Sequence, residues 1–296
     1  PFETATLLTT LSREGHLQAL GAWPAVEELT SVAGDSPLPV APDLPGRIYW
    51  ILRQSGKNLD QIAEVISQEP TLAAKALRHF STARIEPIRG DLSVAQIIEG
   101  LGELRARAFV IPELIRGVFF TEKDFFWKGC RKHSVFCAHL CRELADLTGY
   151  PRPQEAYLAG LLHNLGVYVL IGVNPARYRL ILGEARRTGA DLCTLEKDAF
   201  GMSHVKVGMA FAQRWHFPTP IAEAVWLHHQ GQDGTASPLV DLVALANWVA
   251  AQRQVSPEYC SPIGNQIDGA LERFKLKRKQ LINWAEGSAR VTQAIV

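Results

Sequence analysis

The apolar residues of this chain recur every three or four positions over most of its length, whereas alternation of apolar and polar residues is almost absent. The first spacing places apolar side chains on one face of an α-helix, and the second would indicate a β-strand. Short breakers separate the helical stretches, among them Gly189, Gly201 and the Phe217-Pro218 pair. The sequence therefore predicts an all-α protein, and because no repeat of fixed length is evident, we do not expect a solenoid.

Composition shifts suggest four parts within the 296 residues. Four prolines between Gly34 and Pro45 rule out a continuous helix there, so we place a boundary after an N-terminal helical extension, 1–34. A helical half, 35–125, and a longer helical bundle, 126–255, follow. A C-terminal helical tail spans 256–296. With 47% apolar residues, the chain can bury a sizeable core.

Charge and composition favour no membrane or nucleic-acid partner. The formal net charge is +1, and the basic run from Arg273 to Lys279 is best interpreted as a solvated helix face. The longest apolar run, Val167 to Val173, falls far short of the roughly 20 residues that a membrane-spanning helix needs. No export signal is evident, and the five cysteines are an odd number in mostly apolar contexts. We expect a cytoplasmic protein.

Five of the nine histidines lie in predicted helices beside apolar neighbours: His133, His163, His204, His228 and His229. A single histidine on an apolar face is usually a hydrogen-bonded core residue. Several at positions that can converge favour one shared pocket inside a helical bundle. The sequence therefore predicts a polar pocket lined by these imidazoles.

Two asparagines stand where that pocket would need carboxylates. A site that hydrolyses phosphate esters with two hard cations uses carboxylates to offset their charge and to bridge them. Asn164 follows His163, and Asn247 follows Ala246 at the inward-facing place of its helix. An amide donates and accepts hydrogen bonds but carries no charge. The pattern favours a pocket that closes on itself through hydrogen bonds or holds a small ligand.

A second metal hypothesis concerns Cys130, His133, Cys137 and Cys141, which fall on one helical face. These positions span about 16 Å along the helix, so a single tetrahedral ion cannot reach all of them. Two neighbours could ligate an ion if another helix supplied the rest. A buried stripe of small residues is the simpler interpretation, and no third group activates a cysteine nucleophile.

The chain resembles the HDOD proteins, a bacterial signalling group related to the HD phosphohydrolase superfamily. The resemblance covers roughly Leu38 to Ala251 and depends on the order of its markers. In the first half these are Leu38-Pro39, Leu44-Pro45, the segment from Ile66 to Leu77, and Leu101-Gly102. In the second they are His133-Ser134, Ala138, Leu144-Ala145, Gly160-Leu161-Leu162-His163, Glu196, Phe200-Gly201, His204, Trp215, Pro218 and His228-His229.

The resemblance implies an HD-type multi-helix bundle with a preceding helical subdomain, in a family that commonly lacks the full metal-ligand set. His133 and His163 match two ligand positions, whereas Asn164 and Asn247 replace the two aspartates. Glu69 stands where aspartate is usual, and Phe80-Ser81-Thr82 replaces a more typical Asn-Ser pair. These departures weaken any inference about ligand contacts from the first half.

We therefore expect a non-catalytic signal-transduction output or regulatory module with a degenerate metal site and no cofactor. Its partner would be a protein, with a small nucleotide as a further ligand, and the crevice between the two halves is the expected docking place. The pocket residues are His133, His163, Asn164, His204, His228, His229 and Asn247.

Two alternatives remain. The first is a metal-dependent phosphohydrolase of a nucleotide or cyclic dinucleotide, with a divalent metal at His133 and His163 and with Glu196 or another carboxylate recruited in place of the missing aspartates. The second is nucleic-acid binding through the basic tail.

Overall fold

The computed structural model of the chain describes residues 44, 47–48, 51, 58–83, 90–119, 125–229, 237–259 and 267–287. Within these ranges every regular element is helical and no strand occurs, which confirms the predicted all-α class. The predicted N-terminal extension, 1–34, lies outside the described residues. The boundaries proposed for the four parts remain predictions.

From residue 58 onwards, the described part of the first half contains three helices: α1 (Leu59–Ser67), α2 (Pro70–Ala83) and α3 (Val94–Phe119). Helices α1 and α2 both pack against α3. Ser93 and Gln96 form a capping box at the start of α3, since each side chain accepts a hydrogen bond from the other residue's backbone N–H. Gly102 interrupts α3 at φ 74°, a left-handed conformation that favours glycine.

The second half is a bundle of eight helices within the described residues. They are α4 (Phe125–Thr148), α5 (Pro153–Leu162), α6 (Leu165–Val173), α7 (Pro175–Thr188), α8 (Leu192–Phe200), α9 (His204–Arg214), α10 (Thr219–Leu227) and α11 (Pro238–Gln252). Helix α5 packs on α4, α10 and α11, and α6 packs on α9 and α7. The centre of the bundle is therefore the α5–α6 segment.

The two halves are joined by polar contacts as well as by packing. Arg131 of α4 forms an ion pair, 2.9 Å long, with the buried carboxylate of Glu69 that precedes α2. Asp91 accepts hydrogen bonds from the backbone N–H groups of Gln154 and Glu155, at 3.1 and 2.8 Å. A carboxylate at a helix N-terminus accepts hydrogen bonds from backbone N–H groups that have no partner within the helix, and its negative charge interacts favourably with the helix dipole. The first half thus helps to fix the start of α5.

Apolar periodicity alone predicts one helix over about 154–171, but the structure divides this stretch into two helices. Helix α5 ends at Leu162 and α6 begins at Leu165, with His163 and Asn164 between them. By length and composition alone, Pro153–Val173 could cross a membrane, but 89% of its most apolar window is buried inside the protein. The break places two polar side chains in the middle of the apolar core.

The described part of the tail is helical, as the sequence predicts. The tail forms two short helices, α12 (Asp268–Arg273) and α13 (Arg278–Gly287), separated by a turn in which Lys275 has φ 54°. Two members of its basic run form ion pairs: Arg273 contacts Asp241 of α11 at 2.7 Å, and Arg278 contacts Asp268 at 2.6 Å. These pairs leave less free positive charge for a nucleic-acid partner.

We predict that Gly166→Ala is severely destabilising. A Cβ at Gly166 would lie 1.9 Å from the backbone oxygen of His204, so α6 and α9 would have to separate. We expect a loss of about 3 kcal/mol or more in the free energy of unfolding, measured by urea denaturation. Gly172→Ala is the matched control, because Gly172 is exposed in the same helix. That control should be neutral or slightly stabilising, and equal losses in both variants would contradict the packing argument.

Candidate functional site: a buried histidine cluster

The structure brings all five singled-out histidines into one contiguous cluster. His133 comes from the middle of α4, His163 follows α5, His204 begins α9, and His228 and His229 follow α10. Ring centroids lie 5.2 Å apart for His133 and His163, 4.9 Å for His163 and His228, and 4.9 Å for His204 and His229. His229 is half-buried, and the other four are buried.

Two of these histidines are oriented by the end of the helix that carries them. His163 Nδ1 lies 2.7 Å from the carbonyl oxygen of Gly160, and His228 Nδ1 lies 2.9 Å from that of Val225. The last carbonyls of a helix lack intrahelical partners, so each imidazole satisfies one of them by donating from Nδ1. Nε2 then carries the lone pair. Both lone pairs face into the cluster.

The side-chain amide of Asn164 lies beside the Nε2 lone pair of His228. Its side-chain oxygen lies 3.2 Å from His228 Nε2, where both atoms would be acceptors. Turning the amide by half a turn puts Nδ2 in this place and converts the contact into a hydrogen bond. That rotation also supplies a partner for an amide nitrogen that otherwise has none among the described residues. The amide thus does what an ionised carboxylate cannot, because it donates to a neutral imidazole.

Asn247 of α11 completes the expected pocket beside His133. Burial lowers the pKa of His133 to about 4, while the Val255 carbonyl and the Asn247 amide act in the opposite direction. Asn247 is fully buried, yet neither its oxygen nor its nitrogen has a hydrogen-bond partner of good geometry in the part of the chain that the structure describes. An unmatched buried amide is costly, so this end of the pocket is not closed by its own side chains.

Three histidines at the centre of the cluster are neutral near pH 7. Besides His133, burial lowers the pKa of His163 and of His228 well below the ordinary value, and neighbouring imidazoles lower both further. A buried imidazolium without a counter-ion would be costly. The centre of the pocket therefore offers neutral nitrogen donors.

His204 differs because it has a carboxylate partner. Burial alone would lower its pKa, but contact with Glu196 raises the pKa well above the ordinary value. Glu196 Oε2 accepts from His204 Nδ1 at 2.6 Å and from the His204 backbone N–H at 2.7 Å, while Tyr178 donates to Oε1 at 2.6 Å. His204 is thus a buried imidazolium, and its Nε2 donates to His229 at 2.9 Å.

The sequence singled out Glu196 as a family marker and as a substitute metal ligand, but it gave no indication of Tyr178. The structure shows that both oxygens of Glu196 are occupied by three donors from the protein. Tyr178 lies on another helix, and no spacing in the sequence links it to Glu196. The sequence did offer one clue to the contact between Glu196 and His204. His204 follows Glu196 by only eight positions, and one turn between α8 and α9 separates them.

Cys137 is the second residue whose contact with the histidine cluster the sequence did not indicate. The sequence suggested that Cys137 belongs to a buried stripe of small residues. In the structure its Sγ lies 3.6 Å from Nε2 of His133, which is one helical turn away. Potential ligand atoms of Cys137, His133 and His163 all lie within 4.8 Å of one another. The other cysteines of the stripe are different. Burial raises the pKa of the Cys130 and Cys141 thiols, as expected for inert packing residues.

The cluster does not fit a centre of two carboxylate-bridged hard cations. Amides occupy both positions where a carboxylate would enter, and both amide side chains are fully buried. The carboxylate that contacts the cluster, Glu196, already neutralises His204. A bridge between two divalent ions needs an anionic oxygen with free lone pairs, which these residues do not offer.

A crevice of about 410 Å³ lies between the two halves, away from the histidine cluster. Its walls are formed by α1 and the start of α3 on one side and by α4 and α5 on the other. Asp60 and Glu64 contribute acidic groups, and His139, Arg142 and Tyr157 face them. Arg142 stacks on the Tyr157 ring at 5.4 Å. This is the location in which the sequence led us to expect a partner.

Comparison with known families identifies the chain. A family model described as the HDOD domain matches residues 38–231, which is more than half of the sequence. The chain belongs to the HDOD domain family. The HDOD domain is related to the HD phosphohydrolase superfamily and to signal-transduction proteins.

Solved structures support the same fold. The MmoQ response regulator from Methylococcus capsulatus is similar with a TM-score of 0.65 at 21% identity, over 84% of this chain and 98% of that one. A putative signal transduction protein from Marinobacter aquaeolei has a TM-score of 0.55 at 20% identity, over 94% of this chain and 62% of that one.

Two curated relatives are similar over shorter lengths. An uncharacterized protein from Treponema pallidum is 26% identical over 215 residues, which cover 70% of this chain and 41% of the relative. Ribonuclease Y from Chlorobaculum tepidum is 32% identical over 114 residues, which cover 38% of this chain and 21% of the enzyme. The chain thus spans less than half the length of either relative.

We predict that Glu196→Gln lowers stability in a pH-dependent manner. The folded pKa of His204 lies above its unfolded value of about 6.5, so the stabilisation is full below pH 6.5 and is lost as pH rises through the folded pKa. We expect a loss of roughly 3 kcal/mol at about pH 6 and a smaller loss at alkaline pH, measured by urea denaturation.

Tyr178→Phe is the matched control for this prediction. It removes one neutral donor from Glu196 and leaves the charge pair in place. Its cost should be about 1–2 kcal/mol and nearly independent of pH. If the loss in Glu196→Gln does not shrink with rising pH, His204 is not charged in the folded protein.

Proposed function

We propose that this HDOD chain is a non-catalytic regulatory module of bacterial signal transduction that acts by binding a protein partner. The observation that carries the proposal is the pair of buried amides, Asn164 and Asn247, at both carboxylate positions of the cluster. Without those anions the site cannot assemble the two bridged cations that phosphoester hydrolysis of this type uses. Similarity to a response regulator and to a putative signal-transduction protein supports the regulatory role.

The burial of the cluster supports the same conclusion. His133, His163, Asn164, His228 and Asn247 all have 0% exposure, so a phosphate ester has no open surface from which to reach them. An active site must bind its substrate in a concave, accessible pocket. One accessible concavity among the described residues is the crevice between the halves, which lies away from the cluster.

The crevice has the features of a protein-binding groove. Acidic side chains on α1 face cationic and aromatic groups on α4 and α5, so a partner segment with both charges can pair across it. Tyr157 and Arg142 belong to the residue types that dominate binding energy at interfaces. A small nucleotide is the other candidate occupant, because Arg142 can pair with a phosphate.

The second candidate function is metal-dependent hydrolysis of a nucleotide or cyclic dinucleotide. One observation favours it: side-chain nitrogens of His133 and His163 and the sulfur of Cys137 lie within 4.8 Å of one another. A metal held there could polarise a phosphate oxygen. This alternative still requires an opening to the buried group and a base in place of the missing carboxylates.

Assays of the purified chain distinguish the two functions. Cyclic dinucleotides and nucleotide monophosphates would be incubated with the protein and Mn²⁺, Fe²⁺, Zn²⁺ or Mg²⁺, and product formation followed by chromatography. We expect rates equal to those of a protein-free control. Metal-dependent turnover that disappears in the His163→Ala variant would show a hydrolase and overturn the proposal.

We predict that Glu64→Arg disrupts partner binding. Glu64 is exposed on α1 and lines the crevice. An arginine there would repel the positively charged group of a partner that pairs with Glu64. Partners recovered with tagged chain from its native cells would be quantified by mass spectrometry. We expect at least about tenfold less partner with Glu64→Arg, equivalent to about 1.4 kcal/mol.

Asp198→Arg provides the control for that experiment. Asp198 is exposed on α8 and does not line the crevice, while the change in net charge is the same. It should recover partner at the wild-type level. Equal recovery with Glu64→Arg would contradict binding in the crevice.

A further inference from the structure

Three charged side chains that line the crevice between the two halves lack ionic partners. Asp60 and Glu64 are exposed on α1, one helical turn apart, and Arg142 is half-buried on α4. Among the residues that the structure describes, none forms an ion pair with any of these three. The two walls of the crevice therefore carry opposite charges that do not neutralise each other directly.

Arg142 is held in place without using its hydrogen-bond donors. Its guanidinium lies over the ring of Tyr157, 5.4 Å from the ring centre. That ring is itself fixed, because it is buried and its hydroxyl donates to the carbonyl oxygen of Ser67 at 3.0 Å. A cation over an aromatic face is attracted by the quadrupole of the ring and leaves its N–H groups unpaired. Since Nε is enclosed by protein, the terminal N–H groups are those that an acceptor in the crevice can reach.

The facing wall decides which acceptor suits Arg142. A guanidinium binds either a carboxylate or a phosphate through two parallel hydrogen bonds. A phosphate monoester carries a charge of about −1.5 to −2 at pH 7, and in the crevice it would face the carboxylates of Asp60 and Glu64. A carboxylate side chain carries a single charge, and basic residues beside it in the same segment can pair with α1. The charges therefore favour a peptide with both signs over a nucleotide.

The dimensions of the crevice limit what part of a partner can enter. Its volume of about 410 Å³ lies within the range of about 300–1,000 Å³ that is usual for small-ligand pockets, so a folded domain cannot fit. Asp60 and Glu64 lie about 6 Å apart along the axis of α1. Basic residues two positions apart in an extended segment, or four apart in a helix, span a similar distance. A single segment can thus contact both walls.

We propose that the crevice binds a segment of the partner protein in which an aspartate or glutamate is anchored by Arg142 and basic residues pair with Asp60 and Glu64. The inference rests on the proposed function and adds the chemistry of the partner. It also excludes a nucleotide as the occupant. Because each charge of the segment has a fixed counterpart on one wall, the order of charges selects the partner and its orientation.

A random twelve-residue peptide library displayed on phage is the probe that tests this assignment. The library is panned against the purified full chain, and we expect enriched peptides to combine an acidic residue with basic residues. One such peptide is then synthesised, and its Kd is measured by fluorescence anisotropy. Replacing its acidic residue by the matching amide should raise Kd about tenfold, and so should Arg142→Gln in the protein.

The two changes together form a double-mutant cycle. Each removes the same contact, so the combination should weaken binding no more than either change alone. Lys132→Gln is the matched control, because Lys132 is exposed on α4, lies outside the crevice and loses the same charge. It should bind the peptide with the wild-type Kd. The amide-substituted peptide is measured with the wild-type chain, so the test stays decisive even if Arg142→Gln does not fold.

Several outcomes would overturn the proposal. They are a library that yields no enriched peptide, enriched peptides without this charge pattern, and additive effects in the cycle. Calorimetric binding of GMP or inorganic phosphate that disappears in Arg142→Gln would also overturn it, because the occupant would then be a phosphate.

Recovery of the partner from native cells separates this inference from the proposed function. If Glu64→Arg loses the partner while Arg142→Gln retains it, the crevice is the docking site and only the anchor is wrong. If both variants recover the partner at the wild-type level, docking in the crevice fails as well.

Discussion

The end of α5 at Leu162 is the constraint on which the rest of the site depends. The surrounding segment is apolar enough to continue as one helix, yet it stops where His163 turns back to bond the carbonyl of Gly160. That bond satisfies an orphan carbonyl and fixes the tautomer of His163. In a continuous helix, His163 and Asn164 would point to different faces. His163 would then no longer lie between His133 and His228.

Two glycines on either side of this break allow other helices to approach it. A Cβ at Gly160 would lie 2.7 Å from the backbone oxygen of Cys137, and one at Gly166 would collide with the backbone of His204. Such contacts bring α4 and α9 to the break at backbone distance. Their histidines, His133 and His204, consequently reach the same pocket. The close approach of α4 and α9 to the break between α5 and α6 is therefore necessary for the histidines to meet.

Much of the fold was predictable because apolar periodicity reports helix formation directly. The sequence also identified the histidines from their apolar neighbours, and both amides because they stand where a metal site would have carboxylates. It failed at the break after Leu162, because apolar neighbours favour helix continuation and tertiary contacts decide where a helix ends. The pairing of Tyr178 with Glu196 was beyond sequence reasoning for the same reason: partners on separate helices meet only after packing.

The charge balance explains why amides suit this pocket better than carboxylates. His133, His163 and His228 are neutral, so two buried aspartates beside them would need two cations to compensate their charge. With asparagine at both places, the Glu196–His204 pair is self-neutralising, and the Asn164 amide can donate to the lone pair of neutral His228. Amides at both places therefore leave a buried cluster without the anionic oxygens that two bridged cations need.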